Sequence, residues 1–274
     1  MNTVRVMSKN AAYQKFEVLR TNRNKRYRYG EFLVEGVRNI NQAIRNGWQF
    51  TSLLYSPETP LSRWAQEVLD TVSCDTHYQL SANLMQELSG KTDTSELLAI
   101  LRMRPDDPAL LHDSPCPLYI LFDRPSNHGN LGSIIRSADA LGADGLILTG
   151  HGVDLYQPEV ITASMGSFFN LPAIRMADND TVFDWIARQR DLHPGFQVIG
   201  TTAHRQLNIT QVDFSLPTLL MIGNETEGLC RAFKEGCDLL ATIPMADTSS
   251  ASSFNVACAA TVMMYEVFRQ RAQE

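Results

Sequence analysis

From residue 118 onward, short apolar strand-like runs recur at 118–122, 145–149, 197–201, 218–222 and 239–243. Between them lie stretches with apolar residues at helical spacing, at 131–141, 158–168, 182–190 and 229–235, and a last helix starts at Asn255. Apolar strands that alternate with helices predict a mainly parallel sheet with both faces covered. Ligands of such sheets bind beyond the carboxyl ends of the strands. The first hundred residues carry weaker signals. Helices are predicted at 11–19, 37–46, 63–72 and 83–88, and strands at 32–34, 52–55 and 96–101, a small α/β domain. Four prolines punctuate the polar stretch 102–117, where neither helix nor ladder can continue. The expected organisation is therefore a domain at 1–106, a linker at 107–117 and a second domain at 118–274.

Composition narrows the class. Hydrophobic residues make up 44% of the 274 positions and charged residues 20%, enough apolar material for a substantial core. No apolar run reaches membrane-spanning length and the first residues carry no apolar leader, so a cytoplasmic protein without a membrane partner is expected. Five scattered cysteines with no CxxC pair point to reduced thiols. The six histidines lack metal-ligand spacing, so no metal is expected; only His128, in a glycine turn, is singled out for a structural or substrate-contact role. Net charge is −6, but it is unevenly spread. Residues 1–45 hold ten basic and three acidic side chains, and the rest of the chain is strongly acidic. Arg20, Arg23, Lys25, Arg26 and Arg28 crowd into one stretch with Tyr27 and Tyr29, which suits a segment that binds a polyanion such as a nucleic acid and equally suits a solvated basic helix face.

Three segments carry candidate chemistry. In the first, an apolar strand runs into Asp123-Arg124-Pro125-Ser126-Asn127-His128-Gly129-Asn130 and then a helix that contains Arg136. Such a turn presents backbone N–H groups, yet it has neither the dinucleotide fingerprint nor the Walker spacing. In the second, a buried strand ends in Gly223-Asn224-Glu225-Thr226-Glu227-Gly228. In the third, Ile243-Pro244-Met245 leads through a Ser/Thr-rich loop to Ser253-Phe254-Asn255 at the mouth of the last helix, where Ser and Asn serve as caps. Each alone reads more readily as ordinary strand-to-helix punctuation.

Taken together, in this order and context, the three segments resemble the three motifs of the SpoU (TrmH-type) RNA ribose methyltransferases of the SPOUT superfamily. The stretch around Phe32-Leu33-Val34-Glu35-Gly36 is similar to the ribosomal-protein-like substrate-binding domain often found upstream of it. The resemblance implies an α/β fold with a trefoil knot in the C-terminal domain, a homodimer, and S-adenosylmethionine as cofactor. It implies that Thr201, Gly223, Ile243, Met245 and Phe254 bind the cofactor, and that Asn130, Arg136, Glu225, Ser253 and Asn255 are the catalytic set. A guanidinium keeps its proton in proteins, so Arg136 is expected to stabilise charge on a ribose 2′-oxygen and hold a phosphate rather than act as base. Ribosomal RNA is the first expectation for the substrate and transfer RNA the second. A non-catalytic RNA-binding or assembly factor on the same scaffold is the competing class.

Overall fold

In the computed structural model, which describes residues 2–203 and 206–272, the chain divides into two compact units. The first unit comprises Met1–Arg104 and Asp154–Asn170. Its elements are β1 (Asn2–Val6), α1 (Ala11–Thr21), α2 (Arg23–Tyr29), β2 (Glu31–Glu35), α3 (Val37–Arg45), β3 (Phe50–Tyr55), α4 (Arg63–Thr71), β4 (Thr76–Leu80), α5 (Ala82–Leu88) and β5 (Leu97–Arg102). The strands form one mixed sheet in the order β1-β4-β3-β5-β2, parallel from β1 to β3 and antiparallel from β3 to β2. Tyr13, Phe16 and Leu19 turn one face of α1 into a core with Leu33, Leu54, Leu98 and Ile100 of the sheet. Asn10, Asn22, Ser62 and Ser81 start their helices by accepting a backbone N–H, as cap residues do.

The stretch Asp154–Asn170 falls within the expected second domain in sequence, but by its contacts it groups with the first unit. Tyr156 packs on Phe32 with ring centroids 4.8 Å apart, and Phe168 lies 5.4 Å from Trp48, whose indole N–H donates to the Phe169 carbonyl at 2.9 Å. These aromatics close an apolar cluster that neither stretch completes alone.

The second unit comprises Pro105–Val153 and Leu171–Glu274. Its elements begin with β6 (Leu118–Asp123), α6 (His128–Ala140) and β7 (Gly145–Thr149). After α7 (Pro158–Ala163), which lies in the first unit, follow β8 (Ala173–Met176), α8 (Asn179–Leu192), β9 (Gln197–Thr201), β10 (Leu207–Asn208), β11 (Thr218–Ile222), α9 (Arg231–Gly236), β12 (Leu239–Thr242) and α10 (Val256–Arg271). All seven strands run parallel, in the order β10-β12-β9-β11-β6-β7-β8. The predicted α/β class with a mainly parallel sheet is thus observed. The helix expected at 158–168 is shorter, because Gly166 takes a left-handed φ of 95° and a 3-10 turn, Ser167–Phe169, replaces its end. Strands β1, β4, β8 and β10 and helix α2 were not anticipated.

The strand order reverses direction at β6, with β7 and β8 on one side and β11 on the other. That is the topological switch point, where loops leaving the carboxyl ends of neighbouring strands diverge and open a crevice. The loops after β6 and β11 are two of the three segments singled out in the sequence.

Candidate active site at the carboxyl edge of the parallel sheet

The loop after β11 is shaped by Gly223. A Cβ there would lie 2.3 Å from the Gly228 carbonyl carbon and from the Leu229 nitrogen, so only glycine lets the chain fold back so closely. Asn224 and Gly228 close the resulting turn with reciprocal backbone hydrogen bonds of 3.1 and 3.0 Å. Glu225 projects from this turn to the loop after β6. Its carboxylate accepts the Ser126 hydroxyl at 2.6 Å, the Ser126 and Asn127 backbone N–H groups at 2.9 and 3.0 Å, and the Asn130 amide at 3.3 Å. Burial pushes the Glu225 carboxyl up, but the Ser126 and Asn130 bonds outweigh it and hold the group below the usual carboxylate value.

Asn130 also accepts, through Oδ1, the Asn255 side-chain amide at 3.2 Å. Asn255 caps α10 by accepting the Ala257 and Cys258 N–H groups at 2.9 and 3.3 Å. Glu225, Asn130 and Asn255 therefore form one relay across the three motifs. Beside it is a cavity of about 370 Å³ in which Thr201, Gly223, Glu225, Ile243, Met245, Ser253 and Phe254 all take part. Asn130 and Asn255 stand outside its lining but are joined to Glu225.

Arg136 is placed differently. It is exposed on α6 and does not line this cavity of its own chain. The next residue, Ser137, shares a 2.7 Å hydroxyl hydrogen bond with Thr261, which fastens α6 to α10. His128 is the first residue of α6 and half-buried.

Sequence reasoning missed the support beneath the loops. Asp123, 2% exposed at the end of β6, accepts from the Thr149 hydroxyl at 2.9 Å, the Cys230 N–H at 2.8 Å and the Arg124 guanidinium at 3.1–3.2 Å. A carboxylate that ends an otherwise apolar strand was the available signal. Among the described residues no cluster of potential metal ligands exists, and no helix is long and apolar enough to cross a membrane.

The basic segment of the first unit needs one correction. Arg26, expected to face RNA, is fully buried. Its guanidinium binds Asp154 at 2.6–2.7 Å, the Leu19 and Arg20 carbonyls at 3.0 Å each, and Gln157. A buried charge must be paired and bonded in this way, and none of it is left for a ligand. Arg28 is exposed, Arg23 and Lys25 are half-buried, and Arg20 donates to the Glu87 and Leu88 carbonyls at 3.1 Å. Tyr27 and Tyr29 are 39% and 43% exposed, with Arg23 over the first ring and Lys15 over the second.

A parallel α/β unit with a polar relay at the ends of β6 and β11 and a cavity beside it has the makings of a small-molecule site, and comparison with known proteins specifies the class. The SpoU rRNA Methylase family matches residues 117–265, and the SpoU L30e-like domain matches residues 10–99. A 23S rRNA (uridine(2479)-2'-O)-methyltransferase of Streptomyces viridochromogenes is 45% identical over 97% of this chain and 92% of its own length. The crystal structure of the SpoU methyltransferase AviRb from the same organism, in complex with the cofactor AdoMet, superposes with a TM-score of 0.90 at 45% identity, covering 96% of this chain and 98% of that one. An AdoMet-bound rRNA methyltransferase from Sinorhizobium meliloti superposes with a TM-score of 0.83 at 29% identity, covering 97% and 98% of the two chains. The chain belongs to the SpoU rRNA Methylase family.

Proposed function

We propose that this protein is an S-adenosylmethionine-dependent 2′-O-ribose methyltransferase acting on 23S ribosomal RNA. The observation that carries the reading is the Glu225–Asn130–Asn255 relay beside the cavity formed with Gly223, Ile243, Met245 and Phe254. The similarity over nearly the whole chain to a 23S rRNA 2′-O-methyltransferase supports the choice of RNA over transfer RNA and over a non-catalytic role.

The cavity fits the cofactor. Its volume is of the order found for small-molecule sites. Ile243, Met245 and Phe254 offer apolar surface for an adenine ring, Thr201 offers a hydroxyl, and the carboxylate of Glu225 favours a cationic sulfonium. When bound, S-adenosylmethionine supplies an electrophilic methyl group. This chain's residues position the acceptor. Glu225 fixes Asn130, and Asn130 fixes Asn255, so two side-chain amides are held ready to orient the ribose. Ser253 adds a hydroxyl at the cavity wall. Arg136 stabilises the charge that develops on the 2′-oxygen and holds the neighbouring phosphate.

The working form in this reading is a homodimer with the trefoil-knotted C-terminal domain of its superfamily. Val262, Tyr265 and Phe268 are 41%, 54% and 47% exposed on one stripe of α10, an apolar face suited to a second copy. Arg136, on the helix fastened to α10, then meets the partner's cavity. The first unit binds RNA through Arg20, Arg23, Lys25 and Arg28, and the protein works in the cytoplasm, where its RNA is made and assembled. Incubation of the full chain with methyl-labelled S-adenosylmethionine and unmodified ribosomal RNA, followed by mapping of 2′-O-methyl groups, is expected to find one labelled ribose in 23S RNA. Label confined to transfer RNA, or no label in any RNA, defeats the proposal.

A further inference from the structure

Arg124 is given no part in the chemistry above, yet it is unusually placed. Its φ is +49°, a left-handed conformation that a long side chain rarely adopts. Opposite it, Gly150 leaves room for its stem; a Cβ on Gly150 would come within 2.5 Å of the Arg124 Cγ. The guanidinium is anchored at its root on Asp123, which Thr149 and Cys230 hold in place. From that anchor it reaches the turn after β11. There it donates to the Glu227 carboxylate and, at 3.2 Å, to the Gly228 carbonyl, while its own backbone carbonyl accepts the Asn224 side-chain amide at 2.7 Å. Three of the five residues of the 224–228 turn are thus gripped by one residue.

That same turn carries Glu225 and, with Gly223, forms part of the wall of the cavity. The two loops lock each other in opposite senses. A carboxylate crosses from the turn to 126–130, and a guanidinium crosses from the end of β6 to the turn. We propose that Arg124 is a positioning residue for methyl transfer: by clamping the 224–228 turn it sets the shape of the donor cavity and the place of Glu225. It acts through the turn and touches neither donor nor acceptor. The inference rests on the proposed function, since it assumes that S-adenosylmethionine occupies that cavity.

Arg124→Gly separates this role from a merely structural one. Glycine adopts a φ of +49° without strain, so the backbone is kept or eased while the clamp is lost. In the full chain, S-adenosylmethionine affinity measured by titration calorimetry is expected to weaken about tenfold, the size of a lost charge-assisted hydrogen bond. The kcat falls with it and the KM for ribosomal RNA stays near the wild-type value; the thermal midpoint drops, because buried Asp123 loses its cation, but circular dichroism shows a folded chain at the assay temperature. Glu227→Gln, which removes the far end of the clamp, weakens affinity on its own but adds little to Arg124→Gly, because the two act as one unit. Additive effects overturn the proposal. So does unchanged S-adenosylmethionine affinity in Arg124→Gly, and if the KM for RNA alone rises, the guanidinium is an RNA contact instead. A wild-type chain that binds no S-adenosylmethionine sinks the functional reading itself, a result distinct from either.

Discussion

Asn255 and Asn130, 125 positions apart, meet side chain to side chain at 3.2 Å, and the second of them is held by Glu225. A helix cap is thereby coupled to the ends of β6 and β11. Glu225 is the hub, because its one carboxylate engages Ser126, Asn127 and Asn130 together. Glu225→Gln keeps the shape but replaces an acceptor-only carboxylate with an amide, whose two N–H donors face donors already present. We expect kcat/KM for ribosomal RNA to fall about tenfold to a hundredfold, as for the loss of hydrogen bonds to a charged group. Activity within error of wild type would remove Glu225 from the site.

The same carboxylate predicts a pH dependence. Its folded-state pKa lies below the ordinary value of 4.5: burial opposes this, and the bonds from Ser126 and Asn130 overcome it. A depressed carboxyl pKa stabilises the fold fully above the unfolded value, and that stabilisation disappears as pH falls through the folded one. The difference in thermal midpoint between wild type and Glu225→Gln should therefore be constant above pH 4.5 and shrink in more acidic buffer. A difference that widens on acidification contradicts the sign.

Arg26 and Arg28 should separate cleanly. Arg26→Ala leaves Asp154 buried without its cation and should cost about 3–5 kcal/mol of stability. Arg28→Ala, at an exposed position, should change stability by less than about 0.5 kcal/mol and instead weaken binding to ribosomal RNA fragments. Chemical denaturation and filter binding on the two variants measure both quantities. Loss of RNA affinity in a fully stable Arg26→Ala protein would contradict the buried ion pair.

The contrast between those arginines shows what the sequence could and could not disclose. Strands β6, β7, β9 and β11 were legible because their central positions are apolar and buried on both faces. Helix α2, Arg-Asn-Lys-Arg-Tyr-Arg-Tyr, has no apolar face, and its one buried residue is Arg26 itself. It is fixed instead by the Asn22 cap at one end and Gly30, at φ +64°, at the other. Edge strands β1 and β8 are short and mixed in polarity, so their alternation is weak. Asn130, Glu225 and Asn255 were legible from motif order. The buried anchor Asp123 and the attachment of Asp154–Asn170 to the first unit were not, since both depend on residues distant in the chain.

The stripe Val262, Tyr265 and Phe268 on α10 gives a direct test of assembly. A carboxylate introduced by Tyr265→Glu would have to lose its hydration in a packed apolar interface, and its desolvation opposes association. We expect light scattering after size exclusion to report a dimer for the wild-type chain and a monomer for this variant, with the fold retained because the residue is 54% exposed within one chain. A wild-type monomer, or a variant that stays dimeric, rules out this face.

If Arg136 serves the partner's cavity, two inactive variants should complement each other. Arg136→Ala removes the guanidinium but leaves the cavity of its own chain intact, so S-adenosylmethionine binding persists while methyl transfer is lost. Gly223→Ala places a Cβ 2.3 Å from the Gly228 backbone and should close that cavity, leaving Arg136 untouched. Neither homodimer then holds a complete site. Random pairing after mixing and reassembly makes about half of the dimers mixed, each with one complete site, so about a quarter of wild-type activity should return. If guanidinium and cavity act within one chain, every mixed dimer carries two broken sites and the mixture stays inactive. Methyl transfer measured against mixing ratio distinguishes the two arrangements, and a flat line at zero places Arg136 with its own cavity.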